Sequence, residues 1–169
     1  VQTESWKRAI PSLVTVLRIL LLPIVVWFWL EGSRQAALGI YVILVLTDGI
    51  DGWTARRLRA VTRAGAMLDV LADILVTLAL LGMLVWTGTV SSWLPIGPVL
   101  AAVLFLCTSG KGTPRYDPIG KYYGTALFLL VGVLLWTNHT FWIQATSYVI
   151  AGLSLIVLVN RAVYVAGRR

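Results

Sequence analysis

Apolar residues fall in six long blocks along the chain, over residues 11–31, 35–56, 65–87, 91–109, 119–137 and 141–165. An α-helix needs about 20 mostly apolar residues to cross the hydrocarbon of a bilayer, and each block is close to that length. The pattern predicts an all-α integral membrane protein of six transmembrane helices, in one domain spanning residues 1–169, because almost nothing is left over for a soluble domain. The opening VQTESWKRAI carries basic residues but no small-residue cleavage site, and the apolar block after it is too long for a signal-peptide core. Residues 1–10 are therefore read as a short interfacial segment and Pro11 as the start of a retained helix. The longest polar interruption, TSGKGTPRYDPIGK at residues 108–121, has the Gly and Pro content of a loop.

Composition strengthens this reading. The 169 residues are 59% hydrophobic and 12% charged, whereas a soluble domain is about a quarter charged. Lys and Arg collect on the cytoplasmic side of membrane proteins. With both termini inside, 13 of the 14 basic residues lie on or near that side and only Arg34 falls outside. Tryptophan favours bilayer interfaces, and Trp27, Trp29, Trp86, Trp93, Trp136 and Trp142 all fall at the ends assigned to the outer face. The topology is thus N-in, C-in. The net charge of +7 is spread over short loops that topology already explains, so anionic lipid headgroups or phosphorylated substrates are the expected partners rather than nucleic acid. The single cysteine, Cys107, excludes an internal disulfide and is read as a packing residue.

One stretch breaks the apolar pattern. DGIDGWTARRLRAVTRAGAMLDVLADILV, residues 48–76, holds four of the seven acidic residues. A charge at the centre of a spanning helix costs about 2.5–3.5 kcal/mol on insertion scales, so such residues mark function. Positions i, i+3, i+4, i+7 and i+8 share one helix face, and from Asp48 that face reads Asp48, Asp51, Gly52, Ala55 and Arg56. The next helix places Gly65, Asp69 and Asp73 at i, i+4 and i+8. If Arg56 and Gly65 lie near the cytoplasmic interface, the two carboxylate pairs reach similar depths, about 12 Å along their helices. They can then meet in one inward-opening cavity. Carboxylates without His or Cys make a hard oxygen site, suited to Mg²⁺, Mn²⁺ or Ca²⁺. Four of them can hold two divalent ions, the arrangement used for displacement at phosphorus, or one can act as a general base. Gly52, Ala55 and Gly65 leave room for close approach, and Arg56 offers a planar fork for phosphate.

These residues resemble the signature of the CDP-alcohol phosphotransferases, membrane enzymes of phospholipid synthesis: D-x-x-D-G-x-x-A-R, seven or eight residues, then G-x-x-x-D-x-x-x-D. Here the signature occupies residues 48–73, as Asp48, Asp51, Gly52, Ala55 and Arg56, then eight residues, then Gly65, Asp69 and Asp73. The six-helix layout and the PSLVTVLRILLLP opening are also similar. The resemblance implies that an acceptor hydroxyl attacks the lipid-side phosphorus of a CDP-linked alcohol, by default CDP-diacylglycerol, and releases CMP. It implies that Asp48, Asp51 and Asp69 bind two Mg²⁺ or Mn²⁺ ions, with Asp73 contributing to the metal site and serving as base. Gly52, Ala55, Arg56 and Gly65 would line the CDP site. The resemblance further implies a homodimer, with the active site facing the cytoplasm in a prokaryotic inner or plasma membrane.

The acceptor is less sharply marked. Phosphatidylglycerolphosphate and cardiolipin synthases often carry a Gly-Lys-x-Lys-Thr-like segment at helix five, where this chain reads DPIGKYYGTALF. Gly120 and Lys121 match, the second lysine is missing, and Thr125 is displaced by one. Glycerol 3-phosphate is the default acceptor, with inositol phosphate, serine and phosphatidylglycerol left open. Lys111, Arg115, Lys121 and Arg161 are candidates for an acceptor phosphate, against anchoring at anionic lipid for the loop residues and snorkelling for Arg161. Arg18 carries the same two readings. Two rival functions use the same acids: a divalent-cation transporter, which would need charges continuing through the outer helix halves, and a prenyl transferase, which typically has more helices and separated acidic motifs.

Overall fold

The computed structural model describes residues 3–57, 63–109 and 119–166, with side chains described for all of these except 3–16, 48–57, 63–64, 66 and 121. The described residues form six α-helices and no strand. In chain order they are α1 (Thr3–Leu30), α2 (Arg34–Arg57), α3 (Arg63–Trp86), α4 (Ile96–Thr108), α5 (Gly120–Trp136) and α6 (Thr140–Ala166). The six apolar blocks correspond to these six helices one for one. The opening differs from expectation, because residues 3–10 are not a separate segment but the first turns of α1. Pro11 removes one backbone donor and the helix runs through it.

The fourth block is also shorter than its apolar run. Residues 91–95 form turns, and α4 begins only at Ile96, after Pro95. Proline suits the start of a helix, where the backbone donors have no intrahelical partner. Its 13 residues make α4 about 20 Å long. By length and composition, two described helical stretches are long and apolar enough to cross a membrane, Met67–Trp86 and Thr140–Ala166.

Two helix ends need a glycine. Gly32 (φ +82°) and Gly88 (φ +68°) follow α1 and α3 in the left-handed conformation. After α1, the N–H of Ser33 donates to the Phe28 carbonyl and that of Gly32 to Trp29; after α3, Thr89 donates to Leu84 and Gly88 to Val85. This paired closure satisfies carbonyls that the helix leaves open, and a side chain at the left-handed position would strain it.

The chain divides into two compact units, Val1–Val76 and Thr77–Arg169. In the first, α1 packs along α2. The buried face of α1 is Arg18, Leu22, Val25 and Trp29, that of α2 is Ala37, Tyr41 and Leu44, and the N-terminal half of α3 buries Ala72 and Val76. Each spacing is the three-or-four-residue step of a helix face. Trp27, Trp86, Trp93, Trp136 and Trp142 are exposed, and Trp29 is buried. The guanidinium of Arg34 lies 4.9 Å from the centroid of the Trp29 ring, a cation–π contact across the turn between α1 and α2.

In the second unit α4 and α5 each pack on α6. The buried face of α6 reads Ser147, Ile150, Ser154, Val157 and Arg161, against Pro98 and Ala101 of α4 and Leu127, Phe128, Val131, Leu134 and Leu135 of α5. Cys107 is exposed, not packed as expected, because it lies off the α4 face that holds Pro98 and Ala101. Helices α4 and α6 meet closely at a small residue: a Cβ on Gly97 would come within 2.6 Å of the Ser154 Cβ. Gly152, two residues before Ser154 on α6, has nothing within 4 Å of such a Cβ. Gly97→Ala is expected to destabilise by about 1–3 kcal/mol through overpacking. Gly152→Ala is expected to be neutral or to stabilise by up to about 1 kcal/mol through helix propensity. Reversible unfolding of both variants in mixed micelles checks the contrast.

Candidate active site

The signature residues start on two helices. Asp48, Asp51, Gly52, Ala55 and Arg56 lie in α2, and Gly65, Asp69 and Asp73 in α3. The side chains of the α2 set lie outside the described residues. Their register does not: stepping from Ala37, Tyr41 and Leu44 by helical intervals reaches positions 48, 51 and 55 on the same face. By register alone, the α2 face that carries Ala37, Tyr41 and Leu44 carries acidic residues at positions 48 and 51.

Helix α3 makes the same change in reverse. Asp69 and Asp73 stand one turn apart, on the face continued by Val76. Both carboxylates converge on one group, the guanidinium of Arg18 on α1. Its Nη2 donates to Asp69 Oδ1 at 2.5 Å, and its Nη1 donates to Asp73 Oδ1. Arg18 has a relative exposure of 2%, against 49% and 29% for the aspartate side chains. A planar cation deep in the first unit thus bridges two acids that remain reachable from outside. Such charge-assisted, forked bonds fix direction as well as distance. Arg18 does not snorkel to the interface: it is buried and reaches the signature aspartates. Spacing carried a signal for this, since Arg18 continues the buried stripe of Leu22, Val25 and Trp29, where a cation needs an acid opposite it.

Donor chemistry can be judged from this pair. Asp69 and Asp73 supply only oxygen, sit at i and i+4 on one face, and already converge on a single positive group. That set fits a hard divalent cation. Among the described residues no cluster of three acids, histidines or cysteines exists, and Asp48 and Asp51 lie outside that search.

Among the described residues Arg161 is the second buried arginine, with a relative exposure of 3%. It does not snorkel. Its Nε donates to Thr108 Oγ1 at 2.8 Å, its Nη2 lies 3.5 Å from the Phe105 carbonyl, and its guanidinium sits 5.0 Å from the centre of the Phe105 ring. The Thr108 hydroxyl gives its proton to the Leu104 carbonyl at 2.6 Å, which turns a lone pair toward the arginine. Sequence reading missed Thr108; a hydroxyl at the end of a helix, beside the loop, was the available signal. Nearby, Ser154 donates to the Ile150 carbonyl at 2.7 Å, so the Tyr123 hydroxyl, 2.6 Å away, is the donor to Ser154. Among the other acceptor candidates, Lys111 and Arg115 lie outside the described residues. Lys121 stands in the first turn of α5, its side chain likewise outside them.

Comparison with known proteins decides what these groups belong to. The sequence model of the CDP-alcohol phosphatidyltransferases matches residues 8–159, nearly the whole chain. The chain belongs to the CDP-alcohol phosphatidyltransferase family. It is similar to a CDP-diacylglycerol--glycerol-3-phosphate 3-phosphatidyltransferase of Pseudomonas fluorescens, with 33% identity over 149 residues, covering 79% of this chain and 76% of the relative. Enzymes of the same name from Escherichia coli K12 and Shigella flexneri are 31% identical over 150 residues, covering 80% of this chain and 80% of each relative. As a CDP-alcohol phosphatidyltransferase the chain is an enzyme of phospholipid biosynthesis that moves a phosphatidyl group from a CDP-linked donor. Neither the cation-transporter nor the prenyl-transferase reading finds support among these relatives.

The pairing of Arg161 with Thr108 is expected to appear as coupling. In a double-mutant cycle of Arg161→Met and Thr108→Val, unfolding in mixed micelles should give an interaction energy of about 1–3 kcal/mol. Additive effects would show that the contact carries no energy of its own.

Proposed function

We propose that this phosphatidyltransferase takes CDP-diacylglycerol as donor and glycerol 3-phosphate as acceptor, releasing CMP and leaving phosphatidylglycerol phosphate in the membrane. The observation that carries this reading is the aspartate pair Asp69 and Asp73, held together within the family signature of a chain whose relatives are named for that donor and acceptor. In the reaction, the acceptor hydroxyl oxygen forms a bond to the lipid-side phosphorus. The bond from that phosphorus to the oxygen of CMP breaks, and the hydroxyl proton passes to a carboxylate, for which we assign Asp73.

Asp48, Asp51, Asp69 and Asp73 are the residues that would hold Mg²⁺ or Mn²⁺, two ions in all. Bound there, the metal supplies positive charge to offset what develops on the departing CMP. The other roles fall to the protein. Gly52, Ala55 and Gly65 keep side-chain bulk away from the nucleotide, and Arg56 offers its fork to a donor phosphate. For the acceptor phosphate we assign Arg161, with Lys121, Arg115 and Lys111 as further candidates. Support comes from a buried guanidinium set beside the end of α4, since its planar fork suits a phosphate.

The proposed setting is a prokaryotic inner or plasma membrane crossed six times, both termini and the active site on the cytoplasmic side, in a homodimer. Support comes from 13 of the 14 basic residues falling on one side, from two helical stretches of spanning length, and from exposed Trp86, Trp136 and Trp142 at the opposite helix ends.

A panel of donors and acceptors scored by CMP release, with products identified by mass, tests the assignment. CDP-diacylglycerol with glycerol 3-phosphate and Mg²⁺ or Mn²⁺ is expected to give the fastest release, and chelation of the metal to abolish it. Asp69→Asn and Asp73→Asn are each expected to lower the rate by about 10²-fold or more, the scale of a lost acid–base or charge-stabilising group. Wild-type turnover in both variants would overturn the site, while faster release with another acceptor would overturn only the acceptor.

A further inference from the structure

Arg18 lies outside the family signature, on a different helix, yet it holds both signature aspartates of α3. We propose that Arg18 is a resident counterion that competes with the divalent cation for Asp69 and Asp73, and so sets how tightly the site takes its metal. This rests on the reading above that the two aspartates are metal ligands.

Two carboxylates one turn apart on a helix repel each other. A forked guanidinium and a divalent cation are two solutions to the same repulsion, and they draw on the same atoms. Arg18 takes Oδ1 of each aspartate, and carboxylate oxygens are what a hard cation requires. Burial fixes the outcome. With a relative exposure of 2%, the guanidinium is shut off from solvent and its charge is poorly screened, so its repulsion of a second cation is strong. The aspartates, by contrast, are partly exposed, which leaves them open to a cation arriving from outside. Arg18 acts through the aspartates and is a positioning residue.

A purely structural clamp would behave in the opposite way. Partners that orient metal ligands raise affinity, and their loss typically costs 10–100-fold. A competing counterion lowers affinity, and its loss raises it. The sign of the change separates the two.

The test is Mn²⁺ binding to the purified full chain in micelles, read by electron paramagnetic resonance of the free ion, with binding left in Asp69→Asn as the baseline. Arg18→Gln is expected to lower the Kd for Mn²⁺ about tenfold, and Arg18→Lys, which keeps the charge but loses the fork, to fall between it and the wild type. A second measurement needs no variant to fold. In the ¹⁵N-arginine-labelled wild-type protein, the Arg18 guanidinium N–H signals are expected to be protected from exchange without metal and to lose that protection with saturating Mg²⁺. Unchanged or weaker Mn²⁺ binding in Arg18→Gln, or unaltered Arg18 signals under Mg²⁺, would overturn the proposal while leaving the metal site standing. Folded wild-type protein that binds no Mn²⁺ would overturn both.

Discussion

A guanidinium taken out of water must find oxygen to replace it, because an unpaired buried charge costs several kcal/mol. Both arginines buried among the described residues sit on the inner face of a helix. Arg18 ends the stripe of Leu22, Val25 and Trp29, and Arg161 ends that of Ile150, Ser154 and Val157. Apolar packing holds each stripe in place, and the arginine at its end dictates what the facing helix must present. Opposite Arg18 that is Asp69 and Asp73; opposite Arg161 it is the Thr108 hydroxyl beside the Phe105 ring and carbonyl.

The two solutions differ in chemistry. Carboxylates answer a positive charge with a full negative one, in directed bonds that fix both aspartates at once. Arg161 meets a hydroxyl, a carbonyl and a ring face. The first arrangement organises a pair of acids belonging to the family signature. The second sets a buried guanidinium beside the end of α4. Each is local to its own compact unit, and each is reached by packing of ordinary helix faces rather than by unusual backbone.

Much of this was legible in the sequence. Six apolar blocks became six helices, and the i, i+4 spacing of Asp69 and Asp73 put them on one face, because helical periodicity is a property of local sequence. Helix limits were less legible. Residues 3–10 joined α1 although Pro11 follows them, and α4 lost residues 91–95 to turns. Hydropathy counts apolar residues without reporting which backbone groups are satisfied. Cys107 is exposed rather than packed for a related reason, since a residue type states a preference while the face it falls on decides.

The spacing of the acids, their oxygen-only chemistry and the family they mark are fixed by the order of residues along the chain, as are the two glycines that close α1 and α3. Tertiary structure alone decided the partners. Arg18 is 51 residues from Asp69 and Arg161 is 53 from Thr108, and nothing in the local sequence of either arginine names the residue opposite. The packing of helices against one another selects which pairs meet, and the cost of burying charge without a partner makes those pairings hold.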